Sequence, residues 1–169
     1  MTLFYYPTTI EEAVAVAERG RILCPHKYEL QRLEHVKAVD KGRYESYRGN
    51  YGSENATDGD LALRVACSRH SVDIRTKERV TIPESEWVRS VRVYGQLNDA
   101  LKHLVGPRCG VILGIELVHP STAVLFANDA IELEGQLREV HIYALQPYMK
   151  LIAKPFKKYL VSFNRIKKV

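Results

Sequence analysis

The chain is poor in the residues and runs that mark several large protein classes. Its 169 residues include only three cysteines, Cys24, Cys67 and Cys109. So odd and sparse a set excludes a disulfide framework and suits a reducing compartment, so a cytoplasmic location is expected. No apolar stretch nears the roughly 18 residues of a membrane span. The opening "MTLFYYPTTIEEA" has neither the basic start nor the apolar core of a secretory leader. Asn55-Ala56-Thr57 matches a glycosylation acceptor, which carries no weight without such a leader. No G-x-G-x-x-G, P-loop or G-x-S-x-G occurs. That argues against Rossmann, nucleoside-triphosphatase and nucleophile-elbow chemistry. D-x-K and E-x-K are also missing, which removes the commonest signature of restriction-type, metal-dependent nucleases.

One further absence is local. From Lys150 to Val169 there is no carboxylate side chain, while Lys150, Lys154, Lys157, Lys158, Arg165, Lys167 and Lys168 all carry positive charge. The whole chain is only +5, so the remainder is slightly acidic. Such asymmetry is an electrostatic footprint for an anionic partner such as nucleic acid, or else a solvated basic helix. Lys154, Lys157, Lys158, Arg165, Lys167 and Lys168 are the candidate nucleic-acid contacts.

What is present reads as an ordinary globular chain, with 46% hydrophobic and 27% charged residues. Its length suits one domain. "LFYY" is a short buried strand. "TTIEEAVAVAERG" is a helix with Ile10, Ala13, Val14 and Ala17 on one face. It opens on a capping box, Thr8 with Glu11 or Thr9 with Glu12, and stops at Gly20. A second helix is expected over roughly 26–39, and "DGDLALRVACSRHS" is a third. "SVDIRT" and "RVTIP" alternate as strands do. "WVRSVRVY" alternates in part, and "GQLNDALKHLVG" is helical through Leu97, Leu101 and Leu104. "GVILGIEL", "TAVLFA" and "REVHIY" follow as strands rich in β-branched residues. The basic tail, 145–169, is expected to be helical and kinked at Pro155. The resulting expectation is a single α+β domain over residues 1–169, with a mixed or antiparallel sheet and flanking helices.

Residues 40–60, "DKGRYESYRGNYGSENATDGD", are expected to form a loop, because four glycines interrupt them and no apolar period runs through them. A loop of this length is either functional or mobile. On the functional reading Tyr44, Tyr47 and Tyr51 offer flat faces to a base, and Arg43 and Arg48 meet phosphates. On the other reading the tyrosines pack locally. Cys24 with His26, and Cys67 with His70, pair a thiolate with an imidazole twice, but neither spacing is that of a zinc ribbon, and no metal is expected.

"LFYYPTTIEEAVAVAERGRI", "GDLALRVACSR" and "REVHIYALQPYMKLI" together resemble pieces of the ADP-ribosyltransferase fold family, over about residues 3–22, 58–70 and 137–152. Members open on an aromatic or histidine-bearing strand and a Thr/Ser-capped helix ending in Gly. They also carry a catalytic glutamate on a late strand. Where a histidine often holds the nicotinamide ribose, this chain has Tyr6. The resemblance implies NAD as co-substrate. It implies Glu139 as the catalytic carboxylate, with Glu134 and Glu132 as substitutes, and a donor site at Tyr6, Thr8 and Arg21. The tyrosine segment (Tyr44, Tyr47, Arg48 and Tyr51) would face donor or acceptor. A carboxylate near the ribose suits the chemistry, because breaking the nicotinamide–ribose bond develops positive charge on the sugar. The alternative is a basic nucleic-acid-binding domain without catalysis.

Overall fold

The structure is a computed structural model describing residues 2–53, 55–69, 88–104, 110–117, 124–126, 129–144, 146–160 and 166–168. The expected strands "SVDIRT" and "RVTIP" lie outside the described residues. The chain is of the α+β class and divides into two compact units, Met1–Ile22 with Arg92–Val169, and Leu23–Val91. Among the described residues no helix is long and apolar enough to cross a membrane.

In the first unit, β1 (Thr2–Thr8), β3 (Arg92–Tyr94), β4 (Gly110–Leu117), β5 (Val124–Phe126), β7 (Leu137–Tyr143) and β8 (Ile166–Lys168) form one sheet, ordered β5-β3-β1-β4-β7-β8. All its pairings are antiparallel except that of β7 with β8, so the sheet is mixed. β2 (Arg21–Leu23) and β6 (Ala130–Glu132) make a separate two-stranded sheet. Phe4, Val111, Leu113, Val140 and Ile142 are fully buried on one face of the large sheet. α1 (Ile10–Arg19) and α6 (Gln146–Phe156) supply the apolar cover for that core through Ala13, Val16, Ala17, Ile152 and Phe156. The opposite face carries Tyr5, Tyr94, Ile112 and Tyr143, against which the short helix α5 (Leu97–Lys102) packs Leu97, Ala100 and Leu101.

Helix α1 starts where a side-chain oxygen meets an orphan N–H: Thr9 Oγ1 accepts from the Glu12 N–H at 3.1 Å. Of the two capping boxes in the sequence, the structure uses the Thr9–Glu12 half. The helix ends at Gly20 in the left-handed region, φ 77°. A methyl group there would stand 3.0 Å from Tyr159 Oη, which donates to the Ala17 carbonyl at 2.8 Å. Gly20→Ala is therefore expected to lower stability by about 1–2 kcal/mol in a urea titration, from left-handed strain plus crowding of that hydroxyl. An unchanged midpoint would show that Tyr159 relaxes freely.

Two expectations are corrected here. The tail is not helical throughout: α6 passes into a 3-10 turn at Lys157–Tyr159, and Ile166–Lys168 is a strand. Pro155 sits one residue before the end of α6, where the helix tightens. Nor are residues 40–60 a loop. Lys41–Tyr51 is helix α3, and Asp58–Arg69 is α4.

The second unit packs α2 (Pro25–Val39), α3 and α4 around Leu33, Val36, Tyr44 and Leu61. Cys24 N-caps α2 and Pro25 fills its first turn, where a missing N–H costs nothing. Asp40 ends α2 and N-caps α3, its Oδ1 accepting the Arg43 N–H at 3.1 Å, so one residue makes the corner between two helices.

Candidate active site

The chemistry-bearing side chains of the first unit gather on the sheet face opposite the α1 and α6 core, and a break in the alternation of β7 puts them there. In β7 the core-facing residues are Leu137, Val140 and Ile142, spaced three and then two. A regular strand alternates strictly, so the extra residue must be absorbed. The register with β4 shifts between Gly114 and Ile115, pairing Leu137 with Ile115 but Glu139 with Gly114. This bulge turns Glu139 and His141 away from the core. Bulges near functional sites re-aim side chains in this way.

Glu139 is about a quarter exposed, and its Oε2 accepts from His141 Nε2 at 2.8 Å. His141 is 3% exposed, so its ring is fixed by packing as well as by this bond. Tyr5 pairs with the other side of Gly114, which places it two strand spacings from Glu139, about 10 Å between Cα atoms. Gly114 has no side chain to fill that gap. The Tyr5 ring meets the His141 ring edge-on, with centroids 6.1 Å apart. Burial and then the nearby Glu139 charge raise the Tyr5 phenol above its ordinary pKa. A Cβ at position 114 would stand 2.9 Å from Glu139 Cβ and 3.4 Å from Leu3 Cδ2. The glycine therefore permits the close approach of the carboxylate. At the bulge itself, Arg138 Nη2 holds Glu116 Oε2 at 2.6 Å.

The other expected site residues lie elsewhere. Tyr6 points to the opposite face of β1 from Tyr5 and Glu139. Its hydroxyl donates to Glu12 Oε1 at 2.8 Å, and Thr8 Oγ1 donates to Glu12 Oε2 at 2.8 Å. Burial, followed by the Glu12 charge, pushes the Tyr6 phenol well above its usual range. Tyr6 and Thr8 thus anchor the first turn of α1 and do not share a face with Glu139. Arg21 is half-buried on β2. Glu132 is exposed at the end of β6, and Glu134 is exposed in the turn that Gly135 makes with φ 74°. Neither belongs to the large sheet.

Tyr44, Tyr47, Arg48 and Tyr51 all lie on α3 of the second unit. The tyrosines fall at i, i+3 and i+7, so they share the packing face of that helix. Tyr44 is 7% exposed and donates to Asp58 Oδ1 at 2.5 Å, while Lys37 Nζ stands 3.2 Å from Asp58 Oδ2. The Tyr44 hydrogen bond, more than the Lys37 charge, holds the Asp58 carboxyl below the usual carboxylate range. A lowered folded pKa gives stability that is present above the unfolded value, about 4, and lost as pH falls through the folded one. Tyr44→Phe is expected to cost about 1 kcal/mol at pH 7 and to flatten the acid limb of a Tm-versus-pH curve below about pH 4. An unaltered acid limb would place the pH dependence elsewhere.

Of the basic residues, Lys150, Lys154, Lys157 and Lys158 are exposed on α6 and the turn after it. Lys167 and Lys168 lie on β8, in register with His141 and Ile142. Arg165 lies outside the described residues. Cys24 Sγ accepts from the Lys27 N–H at 3.5 Å, and His26 Nε2 donates to the Gly59 carbonyl at 2.9 Å. Both atoms thus serve helix ends. Cys67 is half-buried on α4, and His70 and Cys109 lie outside the described residues.

Sequence reading missed Tyr5 and His141. Both signals were available: Phe4 at a core position fixes the parity of β1, and His141 stands two residues from Glu139 on an alternating strand. Comparison of the chain with protein-family models, with curated proteins and with solved structures gives no match.

Proposed function

We propose that this chain is an NAD-dependent, ADP-ribosyltransferase-like enzyme with Glu139 as its catalytic carboxylate and Tyr5, rather than Tyr6, as the aromatic partner. The supporting observation is the β7 bulge, which turns Glu139 onto the Tyr5 face above Gly114 while buried His141 holds it. A fixed carboxylate stabilises positive charge as it develops on the ribose, and needs no reorganisation at that moment. The aromatic face of Tyr5 suits the flat, cationic nicotinamide ring. In a thermal-shift screen, NAD and ADP-ribose should raise the Tm, and nicotinamide should be released on incubation with NAD. No shift and no release would remove the enzyme reading.

A second reading, a basic nucleic-acid-binding domain without catalysis, draws on the outward face of α6. Met149, Ile152 and Phe156 turn inward, which leaves Lys150, Lys154, Lys157 and Lys158 in solvent. On this reading binding weakens steeply with salt. It is lost on neutralising Lys157, Lys158, Lys167 and Lys168, and NAD shifts nothing.

A further inference from the structure

In the second unit, α3 carries a ladder of alternating charge and aromatic surface. Arg43, Tyr47 and Tyr51 follow one another four residues apart, so they climb one stripe of the helix in steps of about 6 Å. The Arg43 guanidinium lies 5.9 Å from the Tyr47 ring centroid, and the Tyr47 and Tyr51 rings stack with centroids 6.3 Å apart and planes at 30°. From α2, the Arg32 guanidinium lies 5.9 Å from the Tyr47 ring and Nη2 donates to its hydroxyl at 2.8 Å. From α4, Arg64 Nη1 donates to the Tyr51 carbonyl at 2.8 Å. Two guanidinium groups, from α3 and α2, thus border the Tyr47 ring, and a third, from α4, holds the backbone at Tyr51. The inner sides of the rings rest on the Leu33, Val36 and Leu61 core, which fixes them while part of each stays in solvent.

Within α3 Glu45 is the one carboxylate, and Asp40 caps the helix start, its Oδ1 accepting from the Arg43 N–H. Glu29 is buried and its Oε2 stands 3.6 Å from Arg32. Glu45 lies about 160° around α3 from both Arg43 and Tyr47, on the far side of the helix. Beside Tyr47 a groove of about 230 Å³, counting the part open to solvent, runs between α2 and α4; Glu29 and its partner Arg32 stand in one wall, Ala62 and Val65 in the other.

We infer that this face of α3 is a platform for single-stranded nucleic acid. Preset aromatic surfaces accept unpaired bases of any identity, and guanidinium groups at the rim meet the phosphates between them. A duplex offers its bases already stacked on one another, so it gains little from the rings. This platform goes beyond the carboxylate site and needs neither Glu139 nor the α6 lysines.

Anisotropy of a labelled 15-nucleotide oligothymidylate titrated with the full chain tests it. Single strand should bind more tightly than a duplex of the same length. Tyr51→Phe should keep the affinity, and Tyr51→Leu, which retains the apolar packing, should weaken it about tenfold. Arg43→Ala, at an exposed position, should reduce the slope of log K against log salt by about 0.7. The triple change Lys154→Ala, Lys157→Ala and Lys158→Ala is the comparator. Wild-type affinity in both Tyr51→Leu and Arg43→Ala would overturn the platform. So would a loss confined to the lysine variant, or no binding by the wild type. The titration reads oligonucleotide binding alone, so failure of NAD cleavage would leave this platform standing, and failure of the platform would leave the carboxylate reading to its own test.

Discussion

Glu139→Gln is expected to reduce nicotinamide release from NAD by about 10²–10³-fold, the usual cost of removing one preorganised electrostatic group. The fold should survive it. The amide is nearly isosteric, and its oxygen still accepts from His141 Nε2, which now stands 2.8 Å from Glu139 Oε2. What is lost is the negative charge, and only the transition state needs that charge. The change should therefore appear in kcat and leave the Tm nearly unmoved. Glu132→Gln and Glu134→Gln serve as controls, because both side chains are exposed and stand outside the sheet that holds the Glu139 cluster. Their rates should equal that of the wild type. Gly114→Val adds a test of the floor: a Cβ there would already stand 2.9 Å from Glu139 Cβ, so the carboxylate must shift and the rate should fall with it. Full activity in Glu139→Gln would dismiss this residue. Loss of activity in Glu132→Gln alone would move the site to β6.

The largest effect on stability is expected at Phe156. Its ring is fully buried, and with Met149 and Ile152 it forms the inward stripe of α6. Phe156→Ala should cost about 3–5 kcal/mol, the sum of lost apolar transfer and the cavity left behind. For a chain of this size that is a fall of roughly 10 °C in Tm. Leu151→Ser, five residues away and 62% exposed on the same helix, should change stability by less than about 0.5 kcal/mol. Similar losses in the two variants would mean that α6 does not dock as described. A docked α6 is also what turns its lysines outward, so Phe156→Ala should weaken any salt-sensitive binding that depends on them.

Helix α1 shows how much of the fold was legible locally. Its cap, at the second of the two threonines the sequence offers, and its Gly20 stop are short-range features that the structure keeps, whereas the buried stripe is Ala13, Val16 and Ala17, with Ile10 and Val14 only half-buried. Strands β4 and β7 were legible for the same reason, being runs of β-branched and apolar residues. Helix α3 was not. Gly42 and Gly49 depress helix propensity over Lys41–Tyr51, and the stripe that holds it is made of tyrosines rather than aliphatic residues. Packing against α2 and α4 overrides the local preference. The tail was misread in the opposite sense. Ile166–Lys168 has no strand signal beyond its own three residues, and it becomes a strand by pairing with β7.

The candidate site divides along the same line. Charge asymmetry, the lack of nucleotide-loop motifs within the given residues, and the presence of Glu139 on a late strand are properties of the chain read end to end. Which tyrosine joins that glutamate is decided by strand parity, and a one-residue difference reverses the face. Tyr6 faces the core side and meets Glu12; Tyr5 faces Glu139. The bulge that turns Glu139 outward exists only in the pairing of β7 with β4, strands separated by more than a dozen residues, and no local preference encodes that register. Capping, periodicity and charge act within a few residues and so are written in the sequence. Faces, registers and the company a side chain keeps come from contacts between distant segments, and those the tertiary structure alone decided.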